Sequence, residues 1–315
     1  MNLRLYTLTS SVRPLQAQFH HLPPTTPTNP NAPKKLLSEL PATVFNDYYE
    51  TQCPTEGQLA YANKFFTPSR HSPVKLWSAS KFRTTPIESH EPEVCFLGRS
   101  NVGKSSLLNT IMGDEICYTS SKPGRTREMN AFGIGGTKGG ESKIVLLDMP
   151  GYGHGGRAEW GEEIMKYLEK RKQLRRVFVL IDGHHGIKIF DRKIIRLLSE
   201  YNLPYQIVVA KIDKILAKQT GQLKSGVTER GIAALQTVHR KLRQSFAAMA
   251  RDSHGPPPLG ETLTCCAAVQ RAPGDYIGIS AIRWAIIKAA GYDANVDAEG
   301  NVIKPEKVKA TTKKS

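Results

Sequence analysis

From about residue 92 onward, short apolar runs alternate with longer stretches whose apolar positions recur every three or four residues. The first pattern marks buried strands and the second amphipathic helices. Strands are predicted over residues 94–97, 144–147, 177–181, 206–210 and 263–266. Helices are predicted over residues 104–112, 158–173, 191–201, 227–250 and 279–290, with Trp160, Ile164 and Leu168 on one face of the second. Strands that read as continuous apolar runs, each followed by a helix, define an α/β fold: a mostly parallel central sheet with helices on both faces. Ligands in such sheets bind at the carboxyl ends of the strands.

The flanks read differently. The first 38 residues contain no Asp or Glu, carry Arg4, Arg13, Lys34 and Lys35, and are rich in Ser and Thr. An acid-poor, Arg-bearing, hydroxyl-rich N-terminus has the composition of a mitochondrial import sequence, and residues 22–33 add a Pro/Thr/Asn linker. The expected organisation is therefore a presequence and linker over 1–37, an extension of unassigned role over 38–77 (one helix is expected near 48–66), the main domain over 78–292 with a loop insertion near 251–276, and a basic flexible tail over 293–315. No apolar run is long enough to cross a bilayer, which argues against a membrane-remodelling role.

Charge narrows the partner class. Forty-four Lys and Arg against 28 Asp and Glu give a net +16, an excess that favours a polyanion. Basic clusters at Lys166, Lys170, Arg171, Lys172, Arg175 and Arg176, and at Arg240, Lys241 and Arg243, offer phosphate contacts. The five cysteines are odd in number and form no C-x-x-C pair, which fits a reducing compartment and neither a disulfide framework nor a zinc site. His184 and His185 lack neighbouring ligands at metal spacing and read as surface residues.

The chemistry begins at the end of the first strand. Gly98, Arg99, Ser100, Asn101, Val102, Gly103, Lys104 and Ser105 match G-x-x-x-x-G-K-[ST] in full, between a strand and a helix. This is the phosphate loop of a P-loop NTPase. Backbone N–H groups and the helix N-terminus, with Ser106 in its first turn, would cradle phosphates. Lys104 would reach the β- and γ-phosphates and Ser105 would ligate Mg²⁺. Asp148 and Gly151 of DMPG end the next strand, where the acid can hold Mg²⁺ and the Gly151 N–H can follow the γ-phosphate. Thr126, in SSKPGRTREMN, would complete the Mg²⁺ shell.

Lys211 and Asp213 of AKID end the strand at 206–210. The Asp213 carboxylate would accept the N1–H and 2-amino group of guanine, a donor pair adenine lacks, so the nucleotide is GTP or GDP in a G domain. Ala210 stands where Asn or Thr is usual and removes one hydrogen bond worth about 0.5–1.5 kcal/mol. Affinity should fall while guanine choice is kept. Two pairs compete for the last base-contacting loop: Cys266-Ala267 at a strand end, and Ser280-Ala281 within the closing helix. Tyr152 follows Gly151, where many GTPases keep a water-orienting Gln. His154 is a weak candidate base, and Asn101 a candidate helper for K⁺. Slow intrinsic hydrolysis, raised by potassium or a partner, is expected.

The runs PEVCFLGRSNVGKSSLLN, SKPGRTREMNAF, DMPGYG, AKIDK and GISAIRWAI resemble the EngB (YihA/YsxC) family of translation-factor-related GTPases over roughly residues 78–292, and mitochondrial members in particular. The resemblance implies a monomeric G domain acting on the large ribosomal subunit or its precursor and on rRNA rather than DNA, in the mitochondrial matrix. It also supports Thr126 as the switch threonine and places Gly278-Ile279 at the start of the last helix, favouring Cys266-Ala267. Ala210 and Cys266 depart from the family pattern on the base-binding side. The alternative reading is a ribosome-binding protein that keeps the G fold without hydrolysing GTP.

Overall fold

The computed structural model describes residues 33–86, 88–118, 128–138, 142–153, 158–252 and 255–303. Five parallel strands form its centre: β3 (Glu93–Gly98), β5 (Ile144–Asp148), β6 (Leu174–Asp182), β7 (Tyr205–Ala210) and β8 (Glu261–Cys265). Three antiparallel strands extend the edges: β1 (Asp47–Tyr48) beside β8, and β4 (Met129–Ile134) followed by β2 (Val74–Ala79) beside β5. The order across the eight-stranded sheet is β1-β8-β7-β6-β3-β5-β4-β2. A separate two-stranded ribbon pairs β9 (Gln270–Ala272) with β10 (Asp275–Tyr276).

The apolar runs explain the layering. Every residue of β3, β5 and β7 is buried, and alternate side chains serve opposite faces. Cys95, Leu97, Val177, Val179, Ile207 and Val209 pack under α3 (Ala158–Lys170), α4 (Ile189–Glu200) and α6 (Glu229–Asp252). Val94, Phe96, Phe178, Leu180 and Val208 pack under α1 (Glu56–Phe65), α2 (Lys104–Met112) and α7 (Ile279–Ala290). A short helix, α5 (Asp213–Leu216), opens the segment after β7. Among the α3 residues expected on one face, Ile164 and Leu168 are buried; the Trp160 side chain lies outside the described residues.

The flanks belong to the same body. Residues 38–77, expected as an extension of unassigned role, supply β1, α1 and most of β2, so the sheet begins well before residue 78. Their elements are short and each pairs with remote partners, which local periodicity cannot show. Residues 293–303, expected as flexible tail, turn back over α1: Asn301 takes the Lys64 ammonium at 2.8 Å, and a Cβ on Gly57 would lie 1.9 Å from the Asp297 carbonyl oxygen. The insertion at 251–276 is not one loop: α6 runs to Asp252, and β8, β9 and β10 fall within it. Residues 1–32 and 304–315 lie outside the described residues.

Candidate functional site

The loop leaving β3 turns into α2 through two left-handed residues, Asn101 (φ 63°) and Gly103 (φ 106°). Gly98 needs its missing side chain, because a Cβ would sit 2.8 Å from Val102 Cγ1. Lys104 is buried at the head of α2, and its ammonium donates to the Gly98 carbonyl at 3.1 Å across the loop it encloses. Burial lowers its pKa, opposed by nearby Asp148. Such a buried cation enclosed by a loop of backbone N–H groups is electrostatically suited to a polyphosphate.

Ser105 donates its hydroxyl to Asp148 Oδ2 at 2.9 Å, joining the phosphate loop to the end of β5. Burial raises the Asp148 pKa, against the pull of Lys104 and the Ser105 bond. Asp148 Oδ1 and Ser100 Oγ are buried without a hydrogen-bond partner among the described residues. Buried orphaned oxygens call for a ligand, and a hydroxyl beside a carboxylate is a hard oxygen donor set that fits Mg²⁺. Gly151 lies against the same loop: a Cβ there would come within 2.8 Å of Ser100 Cα. Thr126 and His154 lie outside the described residues.

Tyr152 does not face the phosphate position with its phenol. Its backbone exchanges hydrogen bonds with the loop, accepting from Ser100 N–H at 3.0 Å and donating to the Gly98 carbonyl at 3.3 Å. Its hydroxyl donates to Asp191 Oδ1 at 2.9 Å in α4, and Arg99 forms an ion pair with Asp191 Oδ2 at 3.2 Å. Burial and the Asp191 carboxylate hold the phenol protonated. Asp191, wholly buried, also caps α4 by accepting Lys188 N–H at 2.8 Å.

The base side is built from β7, β8 and the turn after α5. Asp213 is buried; its Oδ1 accepts the Cys266 thiol at 3.3 Å and its Oδ2 accepts the Thr220 hydroxyl at 2.7 Å. Burial, then the Asp213 charge, pushes the Cys266 thiol up to about 12, so it remains a donor. Cys266-Ala267 is thus the pair brought beside Asp213. Ser280 accepts Asn63 Nδ2 at 3.0 Å and fastens α7 to α1 instead. Lys211 (φ 60°) donates to the Asn101 carbonyl at 2.6 Å and to Asp182 Oδ2 at 3.0 Å, tying the base side to the phosphate loop. Burial would raise the Asp182 pKa, but Lys211 and the backbone of His185 outweigh it and hold it at about 2.

Sequence reasoning missed Thr220, Asp182 and Asp191. The position of Asp182 at the end of a buried strand, parallel to Asp148, was the available signal. The basic cluster at 166–176 is not one surface. Arg171 is buried in a bidentate pair with Glu93 (2.6 and 2.9 Å), and Arg176 bonds Gln206 and the Ala285 carbonyl. Arg243 is likewise committed, to Asp47 at 3.0 Å.

A doubly covered parallel sheet with a lysine-bearing phosphate loop, a Ser–Asp pair beside it and a buried aspartate at the base position defines a P-loop GTP-binding protein. Residues 93–211 match the family described as 50S ribosome-binding GTPase. The protein named probable GTP-binding protein EngB in Rhizobium leguminosarum bv. trifolii is 42% identical over 147 residues, covering 44% of this chain and 68% of that protein. Its namesake in Brucella melitensis biotype 1 is 46% identical over 132 residues, 39% of this chain and 55% of its own. The chain belongs to the EngB family of GTP-binding proteins. A crystal structure of a probable GTP-binding protein engB superimposes over 64% of this chain and 99% of its own with a TM-score of 0.41 and 20% identity.

Proposed function

We propose that this protein hydrolyses GTP while acting in assembly of the large subunit of the mitochondrial ribosome, bound to the precursor in its GTP state and released afterwards. The observation that carries the reading is the joined set of Lys104, Ser105 and Asp148, with Asp213 held by Cys266 and Thr220 at the base end. The ribosomal destination rests on the family's description, and the mitochondrial one on the acid-free leader. Localisation to the matrix follows from the same leader and is checked by import into isolated mitochondria.

Water is the nucleophile. Lys104 and the loop amides stabilise the charge that develops on the transferred phosphoryl group. Mg²⁺, when bound, would be held by Ser105, Asp148 and Thr126 and would supply positive charge that stabilises the phosphoryl transfer. The phenol of Tyr152 is tied to Asp191 and leaves the water unoriented, so intrinsic turnover is slow and is raised by K⁺ or the ribosomal partner.

The test is single-turnover GTP hydrolysis by the full chain in potassium or sodium buffer, with and without mitochondrial large-subunit particles, beside Lys104→Ala. Slow hydrolysis that rises with K⁺ and particles and vanishes in the variant is the expected result. Particle binding without hydrolysis under any condition would instead favour the non-hydrolysing ribosome-binding reading, which the loss of the usual side chain at Ala210 supports.

A further inference from the structure

The stretch from His184 to Ser199 contains one acid, Asp191, and that acid is wholly buried. After His184 and His185, the large side chains it exposes are cationic or apolar. Lys188, Arg192, Lys193 and Arg196 are exposed, and between them Ile189 is 72% and Phe190 47% exposed. These two side chains open α4 ahead of the stripe that packs inward through Ile195 and Leu198, so the core does not use them. Lys193 sits with its ammonium 5.7 Å from the Phe190 ring centroid. The ring also borders the loop after β5: a Cβ on Gly153 would lie 3.7 Å from Phe190 Cδ2. Directly beneath, Asp191 holds both Tyr152 and Arg99 of the phosphate site.

We propose that this first turn of α4 is a docking surface for single-stranded RNA. A base stacks on Phe190 and Ile189, and Lys188, Arg192 and Lys193 take the flanking phosphates. The chemistry favours this occupant. An exposed aromatic ring among cations with no exposed acid is a stacking platform in a positive field, which unpaired bases fit and duplex RNA does not. Two apolar side chains are too few to bind a bilayer, and the stretch from His184 to Ser199 exposes no acid to pair with a protein partner's cations. Among the basic clusters of the sequence, Arg171, Arg176 and Arg243 are engaged by partners in the fold while Lys166, Lys170, Lys172, Arg175, Arg240 and Lys241 are exposed; the α4 face differs in placing its cations around an exposed aromatic ring. The inference rests on the ribosome-directed reading above and supplies it with a point of contact.

The test uses the full GDP-loaded chain and fluorescence anisotropy with a short labelled oligouridylate, beside a blunt RNA duplex, over a KCl titration. The single strand should bind more tightly. Phe190→Ala should weaken it by about tenfold, the loss of one stacked base. The double change Arg192→Gln with Lys193→Gln should reduce the slope of log affinity against log salt by about 1.4, two phosphate contacts on a single strand. GDP affinity should be unchanged in all three proteins, which certifies their fold. An affinity for oligouridylate unchanged in Phe190→Ala, or a preference for duplex, overturns the proposal. Co-sedimentation with large-subunit particles separates the two readings. If Phe190→Ala loses oligouridylate and the wild type ignores the particles, the RNA surface stands and the ribosomal destination falls. If Phe190→Ala loses the particles but keeps oligouridylate, the face belongs to a protein partner and the RNA assignment falls.

Discussion

Asp213 has donors on both carboxylate oxygens before any base arrives, a thiol on one and a hydroxyl on the other. Each oxygen keeps a further lone pair, so both bonds can persist while guanine N1–H and the 2-amino group bind. Thr220 therefore holds the orientation that the missing side chain at Ala210 would otherwise help to fix. Thr220→Val should weaken GDP binding by about 1–2 kcal/mol, near tenfold in Kd, and Thr220→Ser should restore most of it. Displacement of a fluorescent guanine nucleotide measures both, and an unchanged Thr220→Val would show that backbone alone positions Asp213. The phosphate residues were legible because their chemistry is written at fixed spacing, from Gly98 to Ser105. Thr220 was not legible: it lies seven residues beyond Asp213 in an irregular stretch, with no period to place it. Asp191 was read only as the start of a helix, since nothing in sequence joins it to Arg99 and Tyr152.

Among elements, β3 and α3 are pinned by a buried network. Glu93 receives Arg171 through two bonds and the Tyr167 hydroxyl at 2.6 Å, while Arg171 also reaches the Pro86 carbonyl. Breaking such a pair from one side strands a buried charge and costs about 3–5 kcal/mol. Arg171→Met should lower unfolding free energy by that order in urea, and adding Glu93→Gln should recover part of it. A loss below about 1 kcal/mol would mean that water reaches the carboxylate. The central strands were readable because residues buried on both sides make continuous apolar runs. Strand β2, with Lys75, Trp77 and Ser78 interleaved, shows no such run, and its partner β4 is recognisable only once the two are paired. Arg171 looked like surface for a related reason: a charge run in sequence does not reveal which member turns inward.

At the scale of the molecule, residues 35–50 run across the far edge of the sheet as a clasp. Lys35 pairs with Val227, Phe45 is fully buried, Asn46 accepts Thr264 N–H, and Tyr49 and Glu50 both donate to the Gly260 carbonyl. His239 of α6 reaches this segment at the Phe45 carbonyl, 3.1 Å away, while its other ring nitrogen is buried without a partner among the described residues. Burial lowers its pKa, outweighing the nearby Asp47 carboxylate and the Phe45 bond, so the folded protein holds the ring neutral. The unfolded chain then binds the extra proton more readily, and stability is full above about pH 6.5 and declines as pH falls below it. The urea midpoint should drop between pH 7.5 and 5.5 in the wild type and drop less in His239→Gln.

The clasp also sets a limit on maturation. A cut ahead of Lys35 keeps every described element in the chain, but a cut beyond Tyr48 strips β1 from β8 and bares the backbone of an edge strand beside the base-binding loop. Chains beginning at residue 34 should keep the thermal midpoint and solubility of the full protein, whereas chains beginning at residue 50 should melt lower and aggregate, as differential scanning fluorimetry and light scattering would record. On the mitochondrial reading proposed above, leader removal is expected to stop ahead of Lys35, because a cut beyond Tyr48 would release a chain with an unpaired sheet edge for degradation.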